Sequence, residues 1–156
     1  MNLNITTHFV NDYQFESVNE SGNRLMMDML PAEEKKYFSP MQLVLAAVGG
    51  CAAVDLVGMI KKRRRTVTAL RVETSGRRRD EIPKRFVEIH LRFVLTSPDA
   101  GEEELGKLVT LAVEKYCSVS ASLAPDANIS YSWVVEHEIR PAEDPAENTT
   151  GRASIH

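Results

Sequence analysis

Residues 39–51 read SPMQLVLAAVGGC, and the apolar run that begins there continues to Ile60. Ser39 has the side chain of a helix N-cap, and Pro40 fits the first helical position, where its missing N–H costs nothing. Gln42 stands where it completes a capping box with Ser39. These signals together predict that a helix begins directly after Ser39.

The helix can be followed through Met41–Ile60 to a stop among Lys61–Arg65, whose positive charges suit the negative end of the helix dipole. It would have about 26 residues and a length of about 39 Å. Asp55 is the only charged residue between Leu43 and Ile60, so the helix is predicted to be buried on all sides. A membrane span is the alternative, but Asp55, the many small residues and the capping box favour a core helix.

A single chain of 156 residues has little other material with which to surround a helix of this length. Small residues along the helix, among them Gly49, Gly50 and Gly58, would let neighbouring elements approach closely. We therefore expect a homodimer in which a second subunit covers part of the helix.

The composition is that of an ordinary globular protein, with 43% hydrophobic and 26% charged residues. Residues 1–10 show no signal-peptide pattern, and two cysteines are too few for a secreted disulfide scaffold, so we expect a cytoplasmic protein. Residues 61–92 are strongly basic, but no aromatic residue is interleaved within the runs KKRRR and GRRRD to stack on bases. A solvated basic face is therefore favoured, and we expect neither a nucleic-acid nor a membrane partner.

No nucleotide-binding or zinc-binding motif occurs, and the four histidines have no ligand spacing among themselves. His90 and His137 fall on predicted strands, where an ordinary strand residue is favoured over a metal ligand. We therefore expect neither a metal nor a bound cofactor.

Shorter elements are predicted on both sides of the long helix. Three extended segments precede it, at Ile5–Asn11, Tyr13–Val18 and Arg24–Met29. An antiparallel hairpin, a helix, a short helical segment and a last strand follow, at Thr66–Thr74 with Arg85–Thr96, Ser97–Cys117, Ser118–Leu123 and Asn128–Ile139. This order is not a βαβ alternation, so the fold class is α+β. A single domain is predicted over residues 1–139, with a polar, disordered tail at 140–156.

Cys51 and Cys117 are the candidate reactive residues. Cys51 lies within the apolar helix, where a free cysteine often serves as a small hydrophobic residue. Cys117 lies where one predicted helix ends and another begins, and amide donors there would lower its pKa and favour the thiolate. The residues alone leave open both a paired redox role and two inert core thiols, because spacing does not say whether the chain brings them together.

Two motifs resemble those of the OsmC/Ohr family of osmotically inducible and organic-hydroperoxide-resistance proteins. The first is SPMQLVLAAVGGC at residues 39–51 followed by Asp55, and the second is EKYCSV at residues 114–119. In element order the similarity covers about residues 10–137. The resemblance implies an intertwined homodimer with two long central helices, enclosed by antiparallel sheets from both chains, and an active site at the subunit interface.

The resemblance also implies a chemistry. Cys51 matches the peroxidatic cysteine of the family and Cys117 matches the resolving cysteine. A Cys51 thiolate would attack an organic hydroperoxide and become a sulfenic acid, which Cys117 would condense with to give a disulfide. An external thiol or dithiol reductant, such as a lipoyl-type donor, would then restore the two thiols.

The chain departs from the better-characterised peroxidases of the family at one position. Those proteins carry a glutamate directly after the proline that opens the long helix, where it orients an active-site arginine, and here that position is Met41. The family arginine comes from the amino-terminal strands, and Arg24 is the only arginine before the long helix. Arg24 is therefore the predicted site arginine, with an ordinary exposed strand residue as the alternative.

Two functions from different classes follow. The first is a thiol peroxidase that acts on organic hydroperoxides in oxidative stress defence, with a weak activity because the family glutamate is missing. The second is a dimer of the same fold that records oxidation or holds an apolar ligand without rapid turnover. Met41 is the feature that favours the second.

Overall fold

The computed structural model describes residues 1–137, which form two three-stranded sheets and a set of helices. In chain order the elements are β1 (Ile5–Asn11), β2 (Gln14–Asn19), β3 (Arg24–Asp28), α1 (Pro40–Lys62), β4 (Ala69–Arg78), β5 (Phe86–Thr96), α2 (Glu102–Leu111), a π-helical turn (Ala112–Tyr116), α3 (Ser118–Leu123) and β6 (Asn128–Glu136). The α+β class is confirmed. Ile139 and the predicted tail at 140–156 lie outside the described residues.

The first sheet is an antiparallel meander of β1, β2 and β3. Gly22 adopts a φ of 82° in the turn between β2 and β3, a conformation that suits glycine, and the Asn19 side chain accepts hydrogen bonds from the N–H groups of Ser21 and Asn23. All seven residues of β1 are exposed in the single chain, with Phe9 68% exposed. An isolated bridge between Met27 and Phe38 links this sheet to the segment before α1.

Helix α1 begins as the sequence predicts. The Ser39 hydroxyl accepts a hydrogen bond from the Gln42 N–H at 3.2 Å, and the Gln42 side chain accepts one from the Ser39 N–H at 2.9 Å. The helix has 23 residues and is about 35 Å long, slightly shorter than predicted, since it ends at Lys62. By length and composition it could cross a membrane. In the fold, its buried residues instead join the core between the helices and the second sheet.

The second sheet has the order β4-β5-β6. Strands β4 and β5 form the predicted antiparallel hairpin, but β6 pairs with β5 in parallel, so the expectation of antiparallel sheets is wrong for this pair. The reason is the connection, because α2, the π-helical turn and α3 carry the chain back across the sheet. Strand β4 also runs to Arg78 instead of Thr74, since Ser75 and Gly76 continue the ladder opposite His90 and Ile89.

Helix α2 begins later than predicted. The Ser97 hydroxyl accepts hydrogen bonds from the N–H groups of Asp99 and Ala100, and this turn delays the helix until Glu102, with Gly101 as N-cap. At Ala112 the helix widens into the π-helical turn, which ends directly before Cys117.

The core lies between α1, the α2 segment and the second sheet. Its members from α1 fall on one face of that helix, and β5 contributes a run of inward side chains: Val48, Ala52, Leu56 and Ile60, with Ile89, Leu91, Phe93 and Leu95. The opposite face of α1 is exposed in the single chain at Ala46, Gly50, Val54 and Gly58. Within one chain only one face of α1 meets other elements, so the burial of α1 on all sides depends on the expected second subunit and stays a prediction.

Candidate active site

Cys51 lies near the middle of α1 and is half-buried. Its neighbours on the helix, Val48 and Ala52, are fully buried against the core. Gly49 lets α1 approach β4 closely, since a Cβ at that position would lie 2.7 Å from Thr74 Oγ1. The helix therefore holds the Cys51 thiol at the boundary between the packed core and the face that the single chain leaves exposed.

Cys117 is placed by the π-helical turn. Its N–H donates to the Ala112 carbonyl oxygen at 2.9 Å, and its backbone then turns to an extended conformation, which makes it the N-cap of α3. The Cys117 sulfur accepts a hydrogen bond from the Ser120 N–H at 3.3 Å. Single π-helical turns are often found at functional sites, and this one directs a side chain inward from a helix junction.

The structure brings the two thiols together within one chain. The buried Cys117 S–H is directed at the Val48 carbonyl oxygen, 3.9 Å from the sulfur, and Val48 lies one turn before Cys51 on α1. The Cys51 side chain is close enough to the Cys117 thiol to act on its pKa through hydrogen bonding and charge. Two residues far apart in the sequence therefore share one site.

The pKa of Cys117 is raised above its ordinary value. Burial is the largest cause, and the neighbouring Cys51 adds to it, while the hydroxyl and the N–H of Ser120 act in the opposite direction. The prediction of a lowered pKa is therefore wrong. The amide donor lowers the pKa as expected, but the loss of hydration outweighs it.

Ser120 is a site residue that the sequence does not single out. It is 3% exposed, and its hydroxyl oxygen has no hydrogen-bond partner with good geometry among the described residues. The same hydroxyl lies close enough to the Cys117 thiol to lower its pKa. The only sequence signal is a serine at the third position after a cysteine that caps a helix.

Arg24 lies elsewhere in the single chain. It is on β3 of the first sheet, its side chain is 66% exposed, and its guanidinium forms an ion pair with Glu16. Within residues 1–137 of one chain, no hydrogen bond or ion pair joins Arg24 to either thiol. Its role as the site arginine stays a prediction, and it would require the partner subunit to supply it.

Met41 occupies the first turn of α1 and is half-buried. It lines a pocket together with Val44, Phe86 and Leu123, so it adds an apolar surface where the family peroxidases have a carboxylate. Met41, at the position that departs from the family pattern, therefore lines a cavity.

Of the two histidines that the sequence assigns to strands, His90 is an ordinary sheet residue, whereas the assignment of His137 is wrong because β6 ends at Glu136. His90 lies on the outer face of the second sheet, with its ring nitrogens 2.8 Å and 3.0 Å from the hydroxyl oxygens of Ser130 and Ser132. Over residues 1–137, no group of three histidine, cysteine or acidic side chains is arranged to hold a metal ion.

Asp28 is a second feature that the sequence does not reveal. Its carboxylate has no exposed surface and accepts hydrogen bonds from Lys35 Nζ at 2.7 Å and from the N–H groups of Lys36 and Tyr37 at 2.9 Å and 2.7 Å. These donors lower its pKa from 3.8 to about 2, although burial alone would raise it. The hydrogen bonds of Asp28 therefore fix the segment before α1 against the end of β3.

The fold and the two thiols define a class of protein in which a long central helix carries one cysteine and a helix junction presents a second cysteine beside it. A sequence model of the family described as OsmC-like protein matches residues 33–132. The chain belongs to this OsmC-like family.

Individual relatives agree with this assignment. Protein YhfA of Escherichia coli strain K12 is 35% identical over 127 residues, which cover 81% of this chain and 93% of YhfA. The crystal structure of a hypothetical protein from Aquifex aeolicus VF5 is similar with a TM-score of 0.78 and 30% identity, over 88% of this chain and 98% of that chain. An organic hydroperoxide resistance protein OsmC from Legionella pneumophila has a TM-score of 0.64 at 16% identity, over 86% and 98% of the two chains, and this likeness shows the fold alone.

Proposed function

We propose that this protein is a cysteine-based thiol peroxidase that reduces organic hydroperoxides in oxidative stress defence. In the first step the Cys51 thiolate attacks one peroxide oxygen, the O–O bond breaks, and a proton is taken up, which gives the Cys51 sulfenic acid and an alcohol. In the second step the Cys117 thiol attacks the Cys51 sulfur and water leaves, which gives a disulfide. An external dithiol then exchanges with this disulfide and carries away the two electrons.

The single observation that carries the proposal is the pairing of a half-exposed thiol with a buried one. A hydroperoxide that arrives from outside can reach Cys51, whereas the Cys117 sulfur is covered by α3 and by the turn of α1 around Val48. Cys117 can therefore react only with a group formed beside it, which is the requirement for a resolving cysteine.

The raised pKa of Cys117 agrees with this order of events. Cys117 stays a protonated thiol while Cys51 reacts, so the two sulfurs do not compete for the peroxide. The S–H proton can then leave with the sulfenic acid oxygen as water. The Legionella pneumophila protein with this fold is described as an organic hydroperoxide resistance protein, and our proposal extends that class of substrate to this chain through the OsmC-like family.

The proposal includes a cytoplasmic homodimer. The exposed face of α1 and the exposed apolar side chains of the first sheet, such as Ile5 and Phe9, are surfaces that a second copy would cover. A partner on this face would border the entrance to Cys51 without closing it, and it would supply its own Arg24 to the site. Sedimentation analysis tests this part directly, since a well-folded monomer at micromolar concentration would contradict it.

A peroxide-consumption assay tests the activity. Wild-type protein is mixed with cumene hydroperoxide and a lipoyl-type dithiol, beside the Cys51→Ser and Cys117→Ser variants. We expect Cys51→Ser to abolish consumption and Cys117→Ser to complete one turnover and stop at the sulfenic acid, because only the attacking sulfur is needed to break the O–O bond. An initial burst in Cys51→Ser but not in Cys117→Ser would reverse the two roles.

Mass spectrometry tests the disulfide. After one equivalent of peroxide, the wild-type mass should fall by about 2 Da through loss of two hydrogens, and a peptide linking Cys51 to Cys117 within one chain should appear under non-reducing conditions. A sulfenic or sulfinic acid that accumulates in the wild type without a crosslink would exclude the two-cysteine cycle.

A second candidate function is a redox sensor or apolar-ligand-binding dimer of the same fold. It is favoured by Met41, which adds apolar surface to the pocket at the start of α1 and cannot orient an arginine as a carboxylate does. Oxidation in a one-to-one ratio, with no multiple-turnover consumption by any of several dithiols, would support this candidate against the peroxidase.

A further inference from the structure

A pocket of about 370 Å³ lies at the amino-terminal end of α1, between that helix, the end of α3 and the β4–β5 hairpin. Its apolar floor is formed by Met41 and Val44 of α1, Phe86 of β5 and Leu123 of α3. Val44 lies seven residues before Cys51, about 10 Å along the helix axis, and neither Cys51 nor Cys117 lines the pocket. Its volume is within the range of small-molecule sites.

The rim of this pocket carries more positive than negative charge. Three cationic side chains, Arg78, Lys84 and Arg85, stand around it, and Asp126 is the only acidic residue in its lining. Asp126 lies beside Arg85, with its Oδ1 at 3.9 Å from the guanidinium. Neither Arg78 nor Lys84 forms an ion pair with a carboxylate of the part of the chain that the structure describes.

The hairpin holds the Arg78 guanidinium in place. Arg78 Nε donates to the Lys84 carbonyl oxygen, and Arg79 Nε donates to the Pro83 carbonyl oxygen at 2.7 Å. Because the Arg78 hydrogen bond uses only Nε, its two terminal nitrogens stay free to donate. A fixed guanidinium of this kind loses little conformational entropy when it binds an anion.

We propose that this pocket binds an organic anion with an unbranched apolar chain. The carboxylate or phosphate head would accept charge-assisted hydrogen bonds from Arg78 and Lys84, and the chain would lie on Met41, Val44 and Leu123. An apolar chain without a charged head would leave the two cations unpartnered, and a cationic head would be repelled by them. The pocket therefore selects for negative charge as well as for apolar area.

Isothermal titration calorimetry at low salt tests the proposal with four probes of the same chain: octanoate, octyl phosphate, octanol and octylamine. The full-length Cys51→Ser protein is used, so that the outcome does not depend on the peroxidase proposal. We expect octanoate or octyl phosphate to bind, and octanol and octylamine to bind at least about tenfold more weakly. The stronger of the two anions identifies the head group.

Variants show whether binding occurs in this pocket. Arg78→Gln and Lys84→Gln should each weaken anion binding about tenfold and leave octanol binding unchanged. Lys84 supplies only its main-chain oxygen to the hairpin, so its exchange preserves that hydrogen bond. Arg77→Gln is the matched control, because Arg77 is next to Arg78 on β4 but pairs with Glu88 on the outer face of the sheet.

Four results would overturn the proposal. Octanol binding as tightly as octanoate would mean that the pocket is apolar only. The anion would bind elsewhere if its affinity were unchanged in both Arg78→Gln and Lys84→Gln. The same conclusion would follow if Arg77→Gln weakened binding as much as they do. No binding of either anion at millimolar concentration would show that the partner subunit fills the pocket or that it has no ligand of this class.

Discussion

Gly50→Ala tests whether a partner packs on α1. Gly50 and Gly58 lie on the face of α1 that is exposed in the single chain, together with Ala46 and Val54, at intervals of four residues. A Cβ added at Gly50 would meet nothing within 4 Å in that chain. If the chain were a monomer, Gly50→Ala would stabilise it by about 1 kcal/mol, because alanine is the better helix former.

In the proposed dimer, Gly50→Ala is expected to destabilise the protein instead of stabilising it. Where a second α1 packs on this stripe of small residues, an added methyl group overpacks the contact at a cost of about 2 kcal/mol per copy. Helix propensity stabilises the separate subunit and the assembled subunit equally, so it cancels in dissociation, and the overpacking cost of about 4 kcal/mol for the two copies remains. We therefore expect the dissociation constant of the dimer to rise roughly 700-fold.

Sedimentation velocity over a range of protein concentrations measures this change, and thermal unfolding at two concentrations gives an independent reading. Gly49→Ala provides the contrast, because its Cβ would meet Thr74 Oγ1 of the same chain at 2.7 Å. Gly49→Ala should lower the stability of each subunit whether or not a partner is present. A Gly50→Ala protein that melts at a higher temperature with an unchanged dissociation constant would refute packing at this face.

Two further predictions concern the site and its support. Ser120→Ala should raise the pKa of Cys117 further, since the Ser120 hydroxyl lowers it. A pH titration of the ultraviolet absorbance of the thiolate in a Cys51→Ser background measures this, and Ser122→Ala, at an exposed position, is the control that should leave the titration unchanged. Asp28 has a folded pKa of about 2 against 3.8 for a free carboxyl, so it contributes stability above about pH 3.8 that is lost as the pH falls through about 2. Urea denaturation over this range should show a smaller pH dependence for Asp28→Asn, and an unchanged slope would contradict the linkage.

The parts of the fold that local signals specify could be predicted from the sequence. The start of α1 follows from Ser39, Pro40 and Gln42, and the three amino-terminal strands follow from alternation and turn residues. The parallel pairing of β6 with β5 could not be predicted from the sequence, because it depends on how far the intervening helices carry the chain. The extension of β4 through Ser75 could not be predicted either. Polar residues with turn propensity adopt the strand conformation here because they form backbone hydrogen bonds with β5.

The candidate site was only partly visible in the sequence. Cys51 and Cys117 were candidates from the residues, and the resemblance supplied their roles, but neither could show that a π-helical turn would place them side by side. The direction of the Cys117 pKa was wrong because burial is a property of the packed fold and is not visible in a six-residue motif. Ser120 was missed for the same reason, since one serine among three near Cys117 becomes special only when it is buried.

In the proposed cycle, the reductive step is the one that the fold constrains most. A dithiol donor can reach the half-exposed Cys51 sulfur but not the buried Cys117 sulfur, so it must attack Cys51 and release Cys117 as the leaving group. A leaving thiol with a raised pKa departs slowly, because exchange is faster when the leaving thiolate is more stable. The N–H and the hydroxyl of Ser120 are the two groups that stabilise that thiolate. In the proposed cycle, Ser120 is therefore a second feature, beside the missing carboxylate at Met41, that decides whether the protein turns over as an enzyme or stays oxidised as a sensor.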